Sequence, residues 1–395
     1  MFIVGIDIAK RNHEITVITS EGEVVQKAFS IRNNCSGYNH MMEKIHKLTN
    51  IKSQVVFAME STAHYWLALY TRLKKDGYPV VVLNPIQTNA MREMFIRKTK
   101  TDTRDSFLIA ELIRFGRYAE SNVAQDKLLA LKELCRNRYY LTDMASDLKR
   151  KVTALVDRLF PEYETQFDSI FCKSSIAVLR KYPTPQKLAN AHLSKLTDIL
   201  WSSSNGHFGE WKAQELKILA SNSFGIDDYE DTYSTLVLLM LDQIQSLDEK
   251  ADVLEKKIAS LLEEFNSPIT SIPGIGPILG ATIISEIGDI SRFRSADKLA
   301  AYIGIDSTVN QSGEYTSHSA HMSKRESPYL HRAVWMASMV AIHCDPMFRA
   351  YYDKKAAEGM RYMTIIGHVT KKMTNVIFAI MRDNKTYVPV VPTVA

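Results

Sequence analysis

The first 120 residues switch between two hydrophobic periods. "FIVGIDIA" and "HEITVIT" alternate as strands do, and "GEVVQKAFSI" extends the hairpin after the turn Ser20-Glu21-Gly22. "GYNHMMEKIHKLT" carries apolar residues at helical spacing, and "QVVFAMES" reads as a buried strand. "HYWLALYTRLKKDG" predicts a helix stopped by Gly77, and "YPVVVLN" a strand ended by Asn84-Pro85. A helix from about 102 to 115 closes the block. Strands in hairpins first, then alternating with helices, predict a mixed sheet flanked by helices.

From about 127 to 160 the period changes. Leu134, Leu141, Ala145, Leu148, Val152, Leu155 and Leu159 recur at three, four and seven, Arg138 fills the missing apolar slot, and Pro161 is the stop. Val237, Met240, Ile244, Leu247, Ala251, Leu254, Ile258, Leu261 and Phe265 alternate three and four without a break, a heptad seam. An intramolecular helix pair and a coiled coil shared between subunits fit these runs equally. The stretch between them is helical in pattern. The last block opens on "SIPGIGPILGATIISEIGDISRF". Pro273, Gly274 and Gly276 predict a tight turn into an apolar helix, as in a helix-hairpin-helix, whose backbone N–H groups can approach a phosphate. A plain helix–helix turn fits the same residues. Three regions follow: 1–120, 121–265 and 266–395.

Composition narrows the classes. A chain of 395 residues has room for two or three domains, and 46% hydrophobic residues is ordinary for a globular protein. No run of about 18 apolar residues predicts a membrane span. "MFIVGIDIAKRNHEITVIT" has no basic segment before its apolar run and is interrupted by Asp7, so it reads as a strand and not a signal peptide. Four scattered cysteines, with no CxxC pair, argue against a zinc site or disulfide framework and fit a reducing cytoplasm. A net charge of +5 favours polyanion contact only where it clusters.

The candidate chemistry lies in acids. Asp7 interrupts an apolar strand, and Glu60 ends another, where open sheets gather ligand sites. Asp102 and Asp105 open a helix within a basic run that includes Lys98, Lys100 and Arg104. As an N-cap and third residue, these two acids suit the helix dipole. As carboxylate donors, the four acids suit Mg²⁺ and the two-metal chemistry of phosphodiesters, with the basic residues holding the polyanion. In the third block Ser312-Gly313 sits in a polar, turn-forming stretch framed by Lys324, Arg325 and Arg332, ahead of a helix whose cap is Ser327-Pro328. Ser307, Ser317, Ser319 and Ser323 compete with Ser312 on chemistry alone, since a serine needs a base or metal to attack.

The order strand, strand, helix of the four acids resembles a RuvC-type ribonuclease H fold. "GIDIAK", "AMESTAHYW" and "KTDTRDS" resemble the amino-terminal domain of the DEDD transposases of bacterial insertion sequences, the group that includes Piv-type invertases. "SIPGIGPILGATIISEIGDISRF", "LAAYIGIDSTVNQSGEY" and "MSKRESPYLHRAVW" resemble the carboxy-terminal domain of the same family. The resemblance covers about 1–115 and 267–385. It implies a RuvC-like α/β domain binding Mg²⁺ through Asp7, Glu60, Asp102 and Asp105, long coiled-coil helices, and a mainly α-helical carboxy-terminal domain. It implies Ser312 as the nucleophile that becomes covalently joined to DNA, beside the metal site of a partner subunit. Many relatives carry further glycines after the Ser-Gly pair; here Glu314 and Tyr315 follow. It also implies double-stranded donor and target DNA, a non-coding bridge RNA, a homodimer or homotetramer, and a cytoplasmic, nucleoid-associated enzyme without a membrane anchor. Two other readings fit the residues: a metal-dependent nuclease of the junction-resolvase type that uses water, and a nucleic-acid scaffold whose acids are caps. Within the recombinase class, inversion stands beside transposition.

Overall fold

Strand alternation builds the first part of the chain. In the computed structural model, which describes residues 1–61, 63–85, 87, 88, 91, 102–116, 118, 126–226, 229–305, 311, 312, 315, 316 and 327–389, five strands form one sheet. These are β1 (Phe2–Ile8), β2 (Asn12–Thr19), β3 (Val24–Arg32), β4 (Val55–Glu60) and β5 (Val80–Leu83), in the order β3-β2-β1-β4-β5. β1 pairs antiparallel with β2 and parallel with β4, and β4 pairs parallel with β5. The sheet is mixed, as the pattern predicts.

Period two sends alternate residues to opposite faces. Val4, Ile6 and Ile8 of β1 join Phe57 and Met59 of β4 against α1 (Cys35–His46) and α2 (Leu67–Lys75). Ile3, Ile18, Ala58, Val81 and Leu83 take the other face, against Ile109, Ala110 and Ile113 of α3 (Asp102–Arg114). Helix α1 begins where Asn34 caps it, its side chain accepting from the Gly37 N–H at 2.8 Å.

Contacts divide the chain into two units, Met1–Val123 and Ala124–Ala395. The second unit is mainly helical. Its frame is two 34-residue helices, α4 (Asp126–Leu159) and, after α5 (Lys173–Lys181), α6 (Pro185–Ala189), α7 (Leu193–Ser203) and α8 (Glu210–Ser221), α9 (Glu230–Glu263). At 1.5 Å per residue each is about 50 Å long. They run antiparallel: Lys127 pairs with Glu264, Arg138 with Glu255 and Lys149 with Asp248, so numbers rise on one helix as they fall on the other. This is the intramolecular arrangement of the two that the periodicity allowed. Val237, Ile244, Ala251 and Ile258, seven apart, are buried, while Met240, Leu247, Leu254 and Leu261 are half-buried.

Two cores lie along this pair. One joins the α4 C-terminal half and the α9 N-terminal half to α5–α8. The other joins their opposite ends to α10 (Pro277–Ile287), α11 (Ala296–Ile303), α12 (Pro328–Cys344), α13 (Pro346–Ala357) and α14 (Tyr362–Asp383). A short hairpin of β6 (Gln311–Ser312) and β7 (Tyr315–Thr316) falls between α11 and α12. Among the described residues no helix is long and apolar enough to cross a membrane.

Candidate functional site

The strand parity that sorts the core also sorts the acids. Asp7 shares the α3 face of β1 with Ile3, and Glu60 shares the α3 face of β4 with Ala58. The β1–β4 register ends at Ile6↔Met59, so one step further on Asp7 and Glu60 stand level at the carboxyl ends of adjacent parallel strands. Helix α3 lies on that same face and opens with Asp102, one turn before Asp105. Asp105 is 5% exposed, while Asp7 and Glu60 are half-buried. Two strand ends and one helix start therefore direct three described acids to one end of one sheet face. The side chain of Asp102 lies outside the described residues.

Sequence reasoning missed a fifth acid here. Glu14 is the direct partner of Asp7 across the β1–β2 hairpin and is half-buried. Both line a cleft of about 440 Å³ with Lys10, Arg11, Asn12 and Ser30. The signal was available, because counting back through the tight Ala9–Arg11 connection puts Glu14 opposite Asp7. Two carboxylates directly opposite on a sheet repel, and a cation near them relieves this.

The donors gathered on that face are carboxylate oxygens, which fit a hard cation, while His13, paired with Ile8 at the same sheet end, falls by strand parity on the other face. Among the described residues no three His, Cys, Asp or Glu side chains already form a cage. The residues are gathered but not closed around a point.

The basic residues of the predicted site divide. Arg104 is half-buried in the first turn of α3, while Lys98, Lys100, Lys324 and Arg325 lie outside the described residues. Arg332 on α12 donates to Asp143 at 2.8 Å and lies 4.8 Å from the centre of the Tyr139 ring. Its charge is held by α4, which sequence reasoning did not anticipate.

Ser312 is the last residue of β6, and its backbone pairs with Tyr315. Gly313 and the Ser312 side chain lie outside the described residues. Ser327 caps α12 as predicted, accepting from Leu330 N–H at 3.4 Å, with Pro328 in the first turn.

The two glycines of the GIG turn differ. Gly274 has φ +87°, and a Cβ there would lie 2.4 Å from the Ala337 carbonyl oxygen on α12. Gly276 caps α10 without a side-chain bond, and a Cβ there would meet nothing within 4 Å. Gly274 serves close packing, and Gly276 leaves the α10 N-terminus open.

Residues 4–161 match a family model of DEDD-type IS110 transposases, described as Transposase. Residues 266–353 match one described as Transposase IS116/IS110/IS902 family. The chain is similar to the insertion element IS116 uncharacterized 44.8 kDa protein of Streptomyces clavuligerus, at 24% identity over 98% of this chain and 96% of that one. It is similar to the insertion element IS900 uncharacterized 42 kDa protein of Mycobacterium paratuberculosis, at 23% identity over 99% and 98%. It is also similar to the pilin gene-inverting protein of Moraxella lacunata, at 22% identity over 97% of each. The Thermus thermophilus RuvC structure covers 31% of this chain and 100% of that chain at 15% identity and a TM-score of 0.22, too low to bear on the fold.

Proposed function

We propose that this chain, whose residues 4–161 and 266–353 match models of IS110-type and IS116/IS110/IS902-family transposases, is an enzyme acting on DNA that cuts and rejoins it with a RuvC-like metal centre and a serine nucleophile. The observation that carries this reading is the gathering of Asp7, Glu60 and the Asp102–Asp105 helix start at one end of one sheet face. Asp7, Glu60, Asp102 and Asp105 hold Mg²⁺. When bound, it supplies charge stabilisation to attacking and leaving oxygens of a phosphodiester. Ser312 bonds through its oxygen to the phosphorus as the sugar oxygen leaves with a proton, and the reverse step joins a new end. Arg104, Lys98, Lys100, Lys324, Arg325 and the open α10 N-terminus at Gly276 hold the DNA backbone. A non-coding RNA selects donor and target, and the chain works in the cytoplasm, at the nucleoid, as a homodimer or homotetramer.

A second reading is inversion, favoured by the likeness to a pilin gene-inverting protein along nearly the whole chain. It uses the same residues on sites within one DNA. The test incubates the full chain with element-end DNA, flanking transcript and Mg²⁺, and maps any protein–DNA adduct. The expected adduct is on Ser312 and disappears in Ser312→Ala. A Ser312→Ala variant that still cuts and rejoins DNA would replace this reading with hydrolysis by water. Asp102→Asn is expected to abolish adduct formation; full activity there would leave the acids as caps.

A further inference from the structure

We propose that Gly5, Thr16 and Ser106 are positioning residues: together they fix helix α3 against the sheet and so set where Asp105 stands relative to Asp7. The inference rests on the metal-centre reading above and deepens it.

Gly5 lies two residues before Asp7 on the same face of β1. It is in regular extended strand, paired at Thr16 and Ala58, and has no positive φ that would call for glycine. A backbone any residue can adopt leaves close approach as the reason for a glycine there. A Cβ at position 5 would lie 2.1 Å from the Ser106 carbonyl oxygen, 2.7 Å from the Ala110 backbone nitrogen and 2.9 Å from the Ala110 Cβ. Two of these three atoms are helix backbone, which cannot swing away as a side-chain tip can. Ordinary contact begins near 3.5 Å, so one added methyl forces α3 outward by about 1.4 Å.

The second grip is polar. Thr16 is the cross-strand partner of Gly5, on the same face and 3% exposed. Its Oγ1 lies 2.7 Å from Oγ of Ser106, which is fully buried. Ser106 follows Asp105 directly. One steric and one hydrogen-bonding contact, from two adjacent strands, therefore converge on residue 106 of the helix that carries the acid pair. Mg²⁺ demands near-ideal octahedral geometry, and sites hold their donors to about 0.5 Å. A displacement of the size Gly5→Ala imposes exceeds that tolerance. Groups that orient metal ligands typically contribute about 10–100-fold in metal affinity.

The experiment titrates the full chain with Mn²⁺ alone, read by electron paramagnetic resonance, for the wild type, Asp7→Asn, Gly5→Ala, Thr16→Val and Thr16→Ser. Far-UV circular dichroism and a metal-free thermal melt accompany each. Gly5→Ala and Thr16→Val are expected to weaken Mn²⁺ binding at least about tenfold with the wild-type far-UV spectrum. Thr16→Ser keeps the hydroxyl and is expected to bind as the wild type does, a rescue that lost packing alone would not give. Wild-type affinity in both Gly5→Ala and Thr16→Val overturns the inference, as does a Thr16→Ser variant as weak as Thr16→Val. If Gly5→Ala unfolds, the Thr16 pair decides alone. If Asp7→Asn binds Mn²⁺ like the wild type, the metal-centre reading itself fails, and the inference falls with it.

Discussion

Glu286 shows what one buried charge contributes and why sequence reading passes over it. It sits on α10 with a side chain 2% exposed, and Arg136 grips both carboxylate oxygens, at 2.6 and 3.0 Å. Lys132 adds a third contact at 3.1 Å. Burial pushes its pKa up, but the Arg136 and Lys132 bonds outweigh that and hold the carboxyl below its ordinary 4.5. A depressed folded pKa contributes stability that is present above the unfolded value and lost as pH falls through the folded one. Glu286→Gln is therefore expected to lower stability at pH 7 by about 2 kcal/mol. That is below the ~3–5 kcal/mol of a fully buried pair, because the Arg136 side chain is about a third exposed and can hydrate. The deficit should shrink as pH drops below 4.5, where the unfolded chain takes up the proton first, and disappear once pH falls through the depressed folded pKa and the native carboxyl is protonated too. Urea midpoints at pH 7 and pH 3 measure both; an unchanged deficit at pH 3 would remove the charge from the account. In the sequence, Glu286 is one acid in an apolar helix, and its main partner, Arg136, lies 150 residues away. Asp7 and Glu60 were legible because each breaks or ends a strand pattern. Glu14 was not, because an acid in an alternating strand looks like an ordinary outward residue until its partner is counted.

At the scale of elements, turn glycines illustrate how one motif serves two ends. The sequence marks Gly274 and Gly276 alike, since a tight turn before an apolar helix asks for small residues. Only packing separates them. Gly274→Ala meets both a left-handed backbone and the Ala337 carbonyl of α12, and should cost about 2–4 kcal/mol. Gly276→Ala meets open space and should change stability by at most about 0.5 kcal/mol. If the α10 N-terminus approaches a DNA phosphate, the same Gly276→Ala methyl should nevertheless reduce retention of element-end DNA in a filter-binding assay. Thermal melts and DNA retention on the two variants check this, and a Gly276→Ala variant with unaltered retention would leave the turn a packing device alone. The strands and long helices were legible, because periods of two and three-to-four survive in any window. Helix starts were less so. Helix α1 begins at Cys35, two residues before its apolar pattern, because Asn34 caps it, and α2 begins at Leu67, three residues after the aromatic run opens at His64.

For the whole molecule, periodicity reports that a stripe is buried but not what buries it. The heptad run of α9 predicted a seam and left its partner open; the partner is α4 of the same chain. Ala124 to Ala395 form one unit, because the antiparallel pair enters both of that unit's cores. Val237 belongs to one core and Ile258 to the other, on a single continuous helix, and each is fully buried. A helix of 34 residues cannot lose its packing at one end without exposing an apolar stripe that its other end still orders. The two cores should therefore melt together. Val237→Ala deletes two methyls and Ile258→Ala three carbons, and about 2–4 kcal/mol is expected for each from lost transfer energy and the cavity left behind. Phe57→Ala, in the β4 core of the first unit, removes a ring that is fully buried, and about 3–5 kcal/mol is expected. In calorimetry of the full chain, Val237→Ala and Ile258→Ala should lower the same transition, while Phe57→Ala lowers another and leaves that one in place. Separate transitions for Val237→Ala and Ile258→Ala would show instead that the long helices frame two independently folding halves.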